Sequence, residues 1–182
     1  MSDTQYLSCA ETAKLVRAAL KESFPGIKFS VKSSVYSGGA SINVSYENGP
    51  TAEQVKAVVG MFEGSYFDGM TDYKGYNYYT MGGVEVSFGA NFIFVNRKMT
   101  KGFLEGAVQA ACKYYGYAMP EITDCSFGAY IARGLDFDTE RRIMQKVQDI
   151  SLCNTQPSKT LASVTFLGDD GYGWNAVGKV AA

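Results

Sequence analysis

AETAKLVRAALKESFPGIKFSVKSSVYSGGASINVSYENGP, residues 10–50, is the stretch whose pattern decides the fold. Ser8 stands just ahead of it, three residues before Glu11, which is the spacing of a helix capping box. Glu11, Lys14, Arg17 and Lys21 make one polar stripe, while Ala13, Val16, Leu20 and Phe24 make an apolar one. That is an amphipathic helix over Ser8–Glu22. Pro25-Gly26 stops it by removing a donor and permitting a left-handed turn. Lys28–Ser34 then alternates, with Phe29 and Val31 on one side and Lys28, Ser30 and Lys32 on the other. Ser37-Gly38-Gly39 supplies a turn, and Ala40–Tyr46 alternates through Ile42, Val44 and Tyr46. Two half-buried strands joined this way form an antiparallel hairpin.

Downstream, Asn48-Gly49-Pro50 breaks the pattern. Thr51 and Gln54 repeat the capping-box spacing, and Val55, Val58, Val59 and Phe62 follow at helical intervals. Ser65–Gly83 is the least regular stretch, with six Tyr and Phe residues among glycines and aspartates. A long loop in a compact domain serves recognition or crossing-over, and Tyr76–Met81 also reads as a strand. Val84–Phe88 and Phe92–Asn96, around Gly89-Ala90-Asn91, read as a second hairpin. A third helix covers Lys101–Tyr115, and Gly116–Gly134 has little periodicity. Asp138 is placed to cap a fourth helix running to about Leu152. Leu161–Leu167 and Tyr172–Val180, around Gly168-Asp169-Asp170-Gly171, read as a third hairpin, which carries the lone Trp174.

The expected fold is α+β: an antiparallel sheet built of hairpins, with helices packed on one face. The division is an α+β domain over 1–98 and a helix, helix and hairpin extension over 101–182. The chain has 182 residues, enough to bury a core without staples. Its 46% hydrophobic and 19% charged content is that of a globular protein and not of a disordered one. Net charge is −1, so no global basic excess favours nucleic acid or an anionic membrane. Met1–Leu7 is polar, without the apolar core of a secretion signal, and no run is long enough to span a bilayer. The four cysteines, Cys9, Cys112, Cys125 and Cys153, form no C-x-x-C pair and fit reduced thiols of a cytoplasmic protein.

There is no histidine. This removes Ser-His-Asp and Cys-His nucleophilic sites, His-ligated zinc and the two-His iron triad. Gly-x-Gly-x-x-Gly opening a helix and a Walker lysine are both missing. Asp68 with Asp72, and Asp169 with Asp170, are carboxylate clusters able to approach a divalent cation, but turn-forming aspartate accounts for them better. Arg97-Lys98, Lys101 and Arg141-Arg142 are the densest basic points; they grip an acidic partner if they converge, and otherwise solvate helix faces. The 13 tyrosines and 20 glycines suit adaptable contact surfaces or a tyrosine-edged core.

Residues 10–34, Tyr36–Val44, Phe62–Met70 (FEGSYFDGM) and Phe88–Phe94 (FGANFIF) together resemble large polyvalent protein-associated domain 29 over about residues 8–98. The resemblance implies a phage or plasmid setting, among elements whose proteins protect incoming DNA from restriction or CRISPR systems. It brings no catalytic residues. The expected function is therefore a non-enzymatic accessory protein that binds and inhibits a host defence complex, without cofactor or metal and away from the membrane. The alternative is a nucleic-acid-binding module that escorts incoming DNA, and a third reading is a metal-dependent enzyme around Asp68 and Asp72. The expected partner-binding residues are Tyr36, Ser37, Gly38, Gly39, Tyr66, Phe67, Asp68, Asp72, Tyr73, Tyr76, Arg97, Arg141, Arg142 and Trp174.

Overall fold

The structure is a computed structural model that describes residues 4–125 and 129–172. Strand β1 (Gln5–Leu7) leads into helix α1 (Cys9–Ser23). The capping box forms as the spacing predicts: the Glu11 amide donates to Ser8 Oγ at 3.3 Å, and the Ser8 amide donates to the Glu11 carboxylate at 2.8 Å. Ala13, Val16, Ala19 and Leu20 are fully buried on one face of α1. Strands β2 (Ser30–Tyr36) and β3 (Gly39–Glu47) pair antiparallel in continuous register, leaving Ser37-Gly38 as a two-residue turn with Gly38 at φ +92°. Thr51 caps helix α2 (Ala52–Val59) through a second complete capping box with Gln54, and a single 3-10 turn, Gly60–Phe62, ends it.

The stretch after Gly64 departs from the expected loop. It is a hairpin of β4 (Ser65–Asp68) and β5 (Tyr73–Met81), in register from Ser65↔Tyr76 to Asp68↔Tyr73. Its tyrosines are strand formers. Gly75, which reads as a loop signal, is a strand residue lying under the Tyr66 ring, where a Cβ would collide.

Strands β6 (Val84–Phe88) and β7 (Phe92–Lys98) are real, but they are not a hairpin. β6 pairs antiparallel with β5 and parallel with β1, whereas β7 pairs parallel with β3. Gly89-Ala90-Asn91 is a crossover between sheets whose backbone bonds three different neighbours. The Gly89 amide donates to Leu7 O at 2.7 Å, the Asn91 amide to Ala40 O at 2.8 Å, and Ala90 O accepts from the Gly64 amide at 2.8 Å.

Helix α3 (Lys101–Tyr115) follows, capped by Thr100 and ended by Gly116 in the left-handed region. Part of the supposedly aperiodic 116–134 segment is a two-stranded sheet of β8 (Glu121–Cys125) and β9 (Ala129–Arg133). Helix α4 (Phe137–Gln148) is capped by Asp136 and not Asp138, because the Asp136 carboxylate is the one that accepts from the Thr139 amide, at 3.0 Å. A short helix α5 (Lys159–Ala162) precedes β10 (Val164–Asp169). β10 pairs antiparallel with β5, with a register shift between Phe166 and Gly168. The rest of the expected third hairpin, with Trp174, lies outside the described residues.

The α+β class holds. Among the described residues the main sheets are five-stranded, β1-β6-β5-β10 with β4 also on β5, and three-stranded, β2-β3-β7. Each contains one parallel pair, so neither is the single antiparallel sheet that hairpin counting predicts. Helices α1 and α2 share one core with both sheets, including Phe24, Ile42, Phe62, Phe88 and Val164. Burying a side chain of this size contributes about 1.5–3 kcal/mol. Helices α3 and α4 close a second, smaller core around Leu104, Val108, Ile143 and Val147. The C-terminal segment returns to the first core: Glu22 accepts from Ser158 Oγ at 2.7 Å and from the Thr160 amide at 2.9 Å, at the start of α5.

Candidate functional site

Strand alternation divides the five-stranded sheet into two faces. Tyr79 and Val86, opposite each other in register, are buried against the helices. Residues one step away therefore point outward: Lys74, Tyr76 and Tyr78 on β5, Phe67 opposite Lys74 on β4, and Tyr6 opposite Ser87 on β1. Three of these aromatics are largely in water, Tyr6 at 67%, Phe67 at 57% and Tyr76 at 58% exposure. Met70, in the β4–β5 turn, is exposed as well. Phe67, Tyr76 and Met70 on the β4–β5 hairpin, with Tyr6 on the same face two strands from β5, are the candidate contact surface.

The other face of the same hairpin is held rigid. Asp170, just past β10, accepts a hydrogen bond from Tyr66 Oη at 2.7 Å on one carboxylate oxygen. Its other oxygen accepts from Tyr73 Oη at 2.9 Å and from the Tyr76 amide at 3.0 Å. The Asp170 amide in turn donates to Tyr76 O at 3.1 Å. The rings of Tyr66 and Tyr73 meet edge-on at 6.4 Å, and Tyr172 lies 6.1 Å from Tyr73. Desolvation pushes the Asp170 carboxyl up, but the bonds from Tyr66, the Tyr76 amide and Tyr73 together leave it below its ordinary value. The same bond to Asp170 pushes the Tyr73 phenol up to about 12. This clasp fixes the hairpin whose opposite face carries Phe67 and Tyr76.

Of the expected site residues, Tyr66, Phe67, Asp68, Asp72, Tyr73 and Tyr76 thus come together on one hairpin. Their roles differ from one another. Asp68 is buried, and its carboxylate accepts from the Met70 amide at 2.8 Å; Asp72 sits in the same turn at φ +50°. Both serve the turn, and among the described residues no group of three or more Cys, Asp and Glu side chains could hold a metal ion. Tyr36, Ser37, Gly38 and Gly39 form the tip of the separate β2–β3 hairpin, where the Tyr36 ring lies against Gly39. Arg141 and Arg142 are exposed on α4, the helix that closes the smaller core with α3. Trp174 lies outside the described residues.

Arg97 is engaged within the fold. Its guanidinium faces inward as a structural clamp: Nε donates to Asn48 O at 3.0 Å, Nη1 to Gln148 O at 3.2 Å, and Nη2 to Gly49 O at 3.3 Å and Ile150 O at 2.8 Å. Its carbon Cζ lies 5.0 Å from the centre of the Phe103 ring. Half-burial lowers its pKa by desolvation. The planar fork joins the turn after β3 to the end of α4, which leaves it unsuited to gripping a partner's phosphate. Lys101 is paired with Glu105 at 3.9 Å on the surface of α3.

Sequence reasoning missed Asp170 as the hub, and with it Tyr172, Tyr6 and Met70. The Asp169-Asp170 doublet reads as a turn, and only the β5–β10 pairing brings it to the tyrosines. Cys9, Cys112 and Cys153 are free thiols, the first two buried. Among the described residues no helix is long and apolar enough to cross a membrane.

The model of the family described as large polyvalent protein associated domain 29 matches residues 7–100, slightly over half the chain. No curated protein and no solved structure matches it. The chain belongs to the large polyvalent protein associated domain 29 family, and is a protein associated with phages and other mobile elements.

Proposed function

We propose that this family member acts by binding, without chemistry of its own, and that its partner is a protein complex of host defence, such as a CRISPR effector or a restriction enzyme. The observation that carries the binding role is the exposure of Phe67, Met70 and Tyr76 on a hairpin that Asp170 holds in place, with Tyr6 exposed on the same face of the sheet. Tyr, Phe and Met are the residue types enriched where proteins meet, and a preformed aromatic patch loses little entropy on docking. The choice of partner class rests on the mobile-element family, whose setting is conflict with the host.

The test is capture of purified defence complexes, or of the same complexes from host lysate, by immobilised protein. The wild type should retain a defence component, and a Phe67→Ser, Tyr76→Ser double variant should lose it while its circular dichroism is unchanged. Capture of no defence component, or equal capture by the variant, would count against the proposal.

A second reading, a nucleic-acid-binding module, has one observation in its favour. Lys32, Asn43 and Phe94 lie in one cross-strand row on the outward face of the three-stranded sheet, and all three are exposed. A cation, an amide and an aromatic ring in a row suit a backbone phosphate and a stacked base. This reading requires DNA retention that falls steeply with salt, and a Phe94→Ala variant that weakens it.

A further inference from the structure

We propose that two copies of this chain pair along the free edge of β2, antiparallel and centred on Ser33. Among the described residues β2 has one neighbour in its sheet, β3, and all its residues from Lys32 to Tyr36 are exposed. Its register with β3 is unbroken over seven residues, from Ser30↔Ser45 to Tyr36↔Gly39. It has no proline and no bulge, two of the devices that blunt an edge strand.

The direction of the backbone groups follows from the turn. In a hairpin with a two-residue turn, the residues flanking the turn exchange hydrogen bonds. Here these are Tyr36 and Gly39, so the backbone groups of Tyr36, Ser34, Lys32 and Ser30 face β3. Those of Val31, Ser33 and Val35 face the open edge. A side-chain bond agrees: Arg17 Nη2, on α1, donates to Val31 O at 2.7 Å, which requires that carbonyl to point away from β3. A carbonyl accepts two bonds, so Val31 O keeps a site for a second donor.

Three outward-facing residues, spaced two apart, set the register of self-pairing. With Ser33 opposite its own copy, Val31 of each chain meets Val35 of the other. Every outward amide and carbonyl from 31 to 35 then has a partner. The side chains agree with this register. Val35 is 79% exposed while Val31 is buried under α1. Pairing sets the bare Val35 beside the mate's Val31, a β-branched cross-strand pair of the kind that stabilises sheets. Lys32 falls opposite Ser34, so no like charges meet. The product is one sheet of six strands running through both copies. A foreign strand could use the same edge; the second copy is the occupant proposed because this register pairs every outward group from 31 to 35 and opposes Lys32 with Ser34, in the two-fold arrangement that antiparallel self-pairing gives.

The experiment measures mass in solution by light scattering over a range of concentrations. The wild type should approach twice the 19.8 kDa monomer mass as concentration rises. Ser33→Pro removes the central outward donor at an edge position where proline is tolerated. It should remain monomeric with unchanged circular dichroism and unchanged capture of the protein partner. Should that variant not fold, cysteine pairs decide. Opposed residues in an antiparallel hydrogen-bonded pair have Cα atoms about 5.5 Å apart, within disulfide reach. Ser33→Cys should therefore give a covalent dimer under mild oxidation, and Ser30→Cys, whose mate is Tyr36, should not. A wild type that stays at monomer mass throughout, or two cysteine variants that cross-link alike, overturns the proposal.

Discussion

Replacing Arg97 by lysine keeps the charge and removes the fork, so it separates a structural clamp from a cation offered to a partner. The arginine reaches four carbonyls, at 2.8 to 3.3 Å, on two separate segments, Asn48-Gly49 and Gln148–Ile150. A lysine ammonium is a point donor on a flexible stem and reaches one or two of these. Two or three bonds are lost. At about 1 kcal/mol each, the low value appropriate to a half-exposed group, the loss is about 2–3 kcal/mol. For a chain of this length that lowers the melting temperature by about 4–12 °C. Urea unfolding followed by circular dichroism reads the stability directly. Hydrogen exchange adds location, since Leu152 donates to Gly49 O at 3.0 Å next to the clamp and its amide should lose protection. A variant within about 0.5 kcal/mol of wild type, the usual range for surface substitutions, would refute the clamp and return Arg97 to the surface cations.

Two further perturbations test the frame of the candidate site. Asp170→Asn removes the charge that holds the Tyr73 proton, so alkaline titration at 295 nm should show one phenol moving from about 12 back towards 10; an unchanged titration curve would mean that Tyr73 does not bond Asp170 in solution. The pH signs follow from the same shifts: the lowered Asp170 value gives stability that is full above the unfolded carboxyl value near 3.9 and is lost as pH falls through the folded one, and the raised Tyr73 value gives stability that is full below about 10 and is lost as pH rises through about 12. The wild type should thus lose stability at both extremes, and the variant should lose less at each. Gly64→Ala places a Cβ against the backbone carbonyl of Phe88, which cannot swing aside. Overpacking of this kind costs about 1–3 kcal/mol or more, and a melting curve unchanged from wild type would contradict the packing of that crossover.

What was legible in the sequence was what neighbouring residues decide among themselves. Ser8 with Glu11 and Thr51 with Gln54 satisfy helix starts within four residues, and both boxes form. The β2–β3 hairpin follows from alternation and a glycine that tolerates positive φ. Pairing across long separations was not legible. Nothing in Phe92–Lys98 announces that it lies parallel to β3 and not beside β6, because an alternating strand is compatible with either neighbour. Gly89-Ala90-Asn91 has turn composition, yet its groups bond to three distant segments. The candidate site shows the same division. The aromatic stretch was visible as composition, but the alternation that sends Phe67 and Tyr76 outward and Tyr66 and Tyr73 inward needs the β4–β5 register. Asp170 stands about a hundred residues from the tyrosines that it anchors. Arg97 reads as a surface cation because four carbonyls brought together by folding leave no trace in local sequence.

The pairing of β10 with β5 sets a schedule for biosynthesis. Val164 meets Met81, about 80 residues earlier in the chain. At about 5–20 residues per second, the ribosome takes about 4–16 s to deliver β10 after β5 has emerged. Throughout that interval the edge of β5 that β10 will cover is bare, and the Asp170 anchor has not been made. The nascent chain thus passes through a window in which a hairpin rich in tyrosine presents an open template to other chains. Synonymous codon changes that slow translation between residues 100 and 160 lengthen that window, and with it the time in which a chaperone must hold the chain.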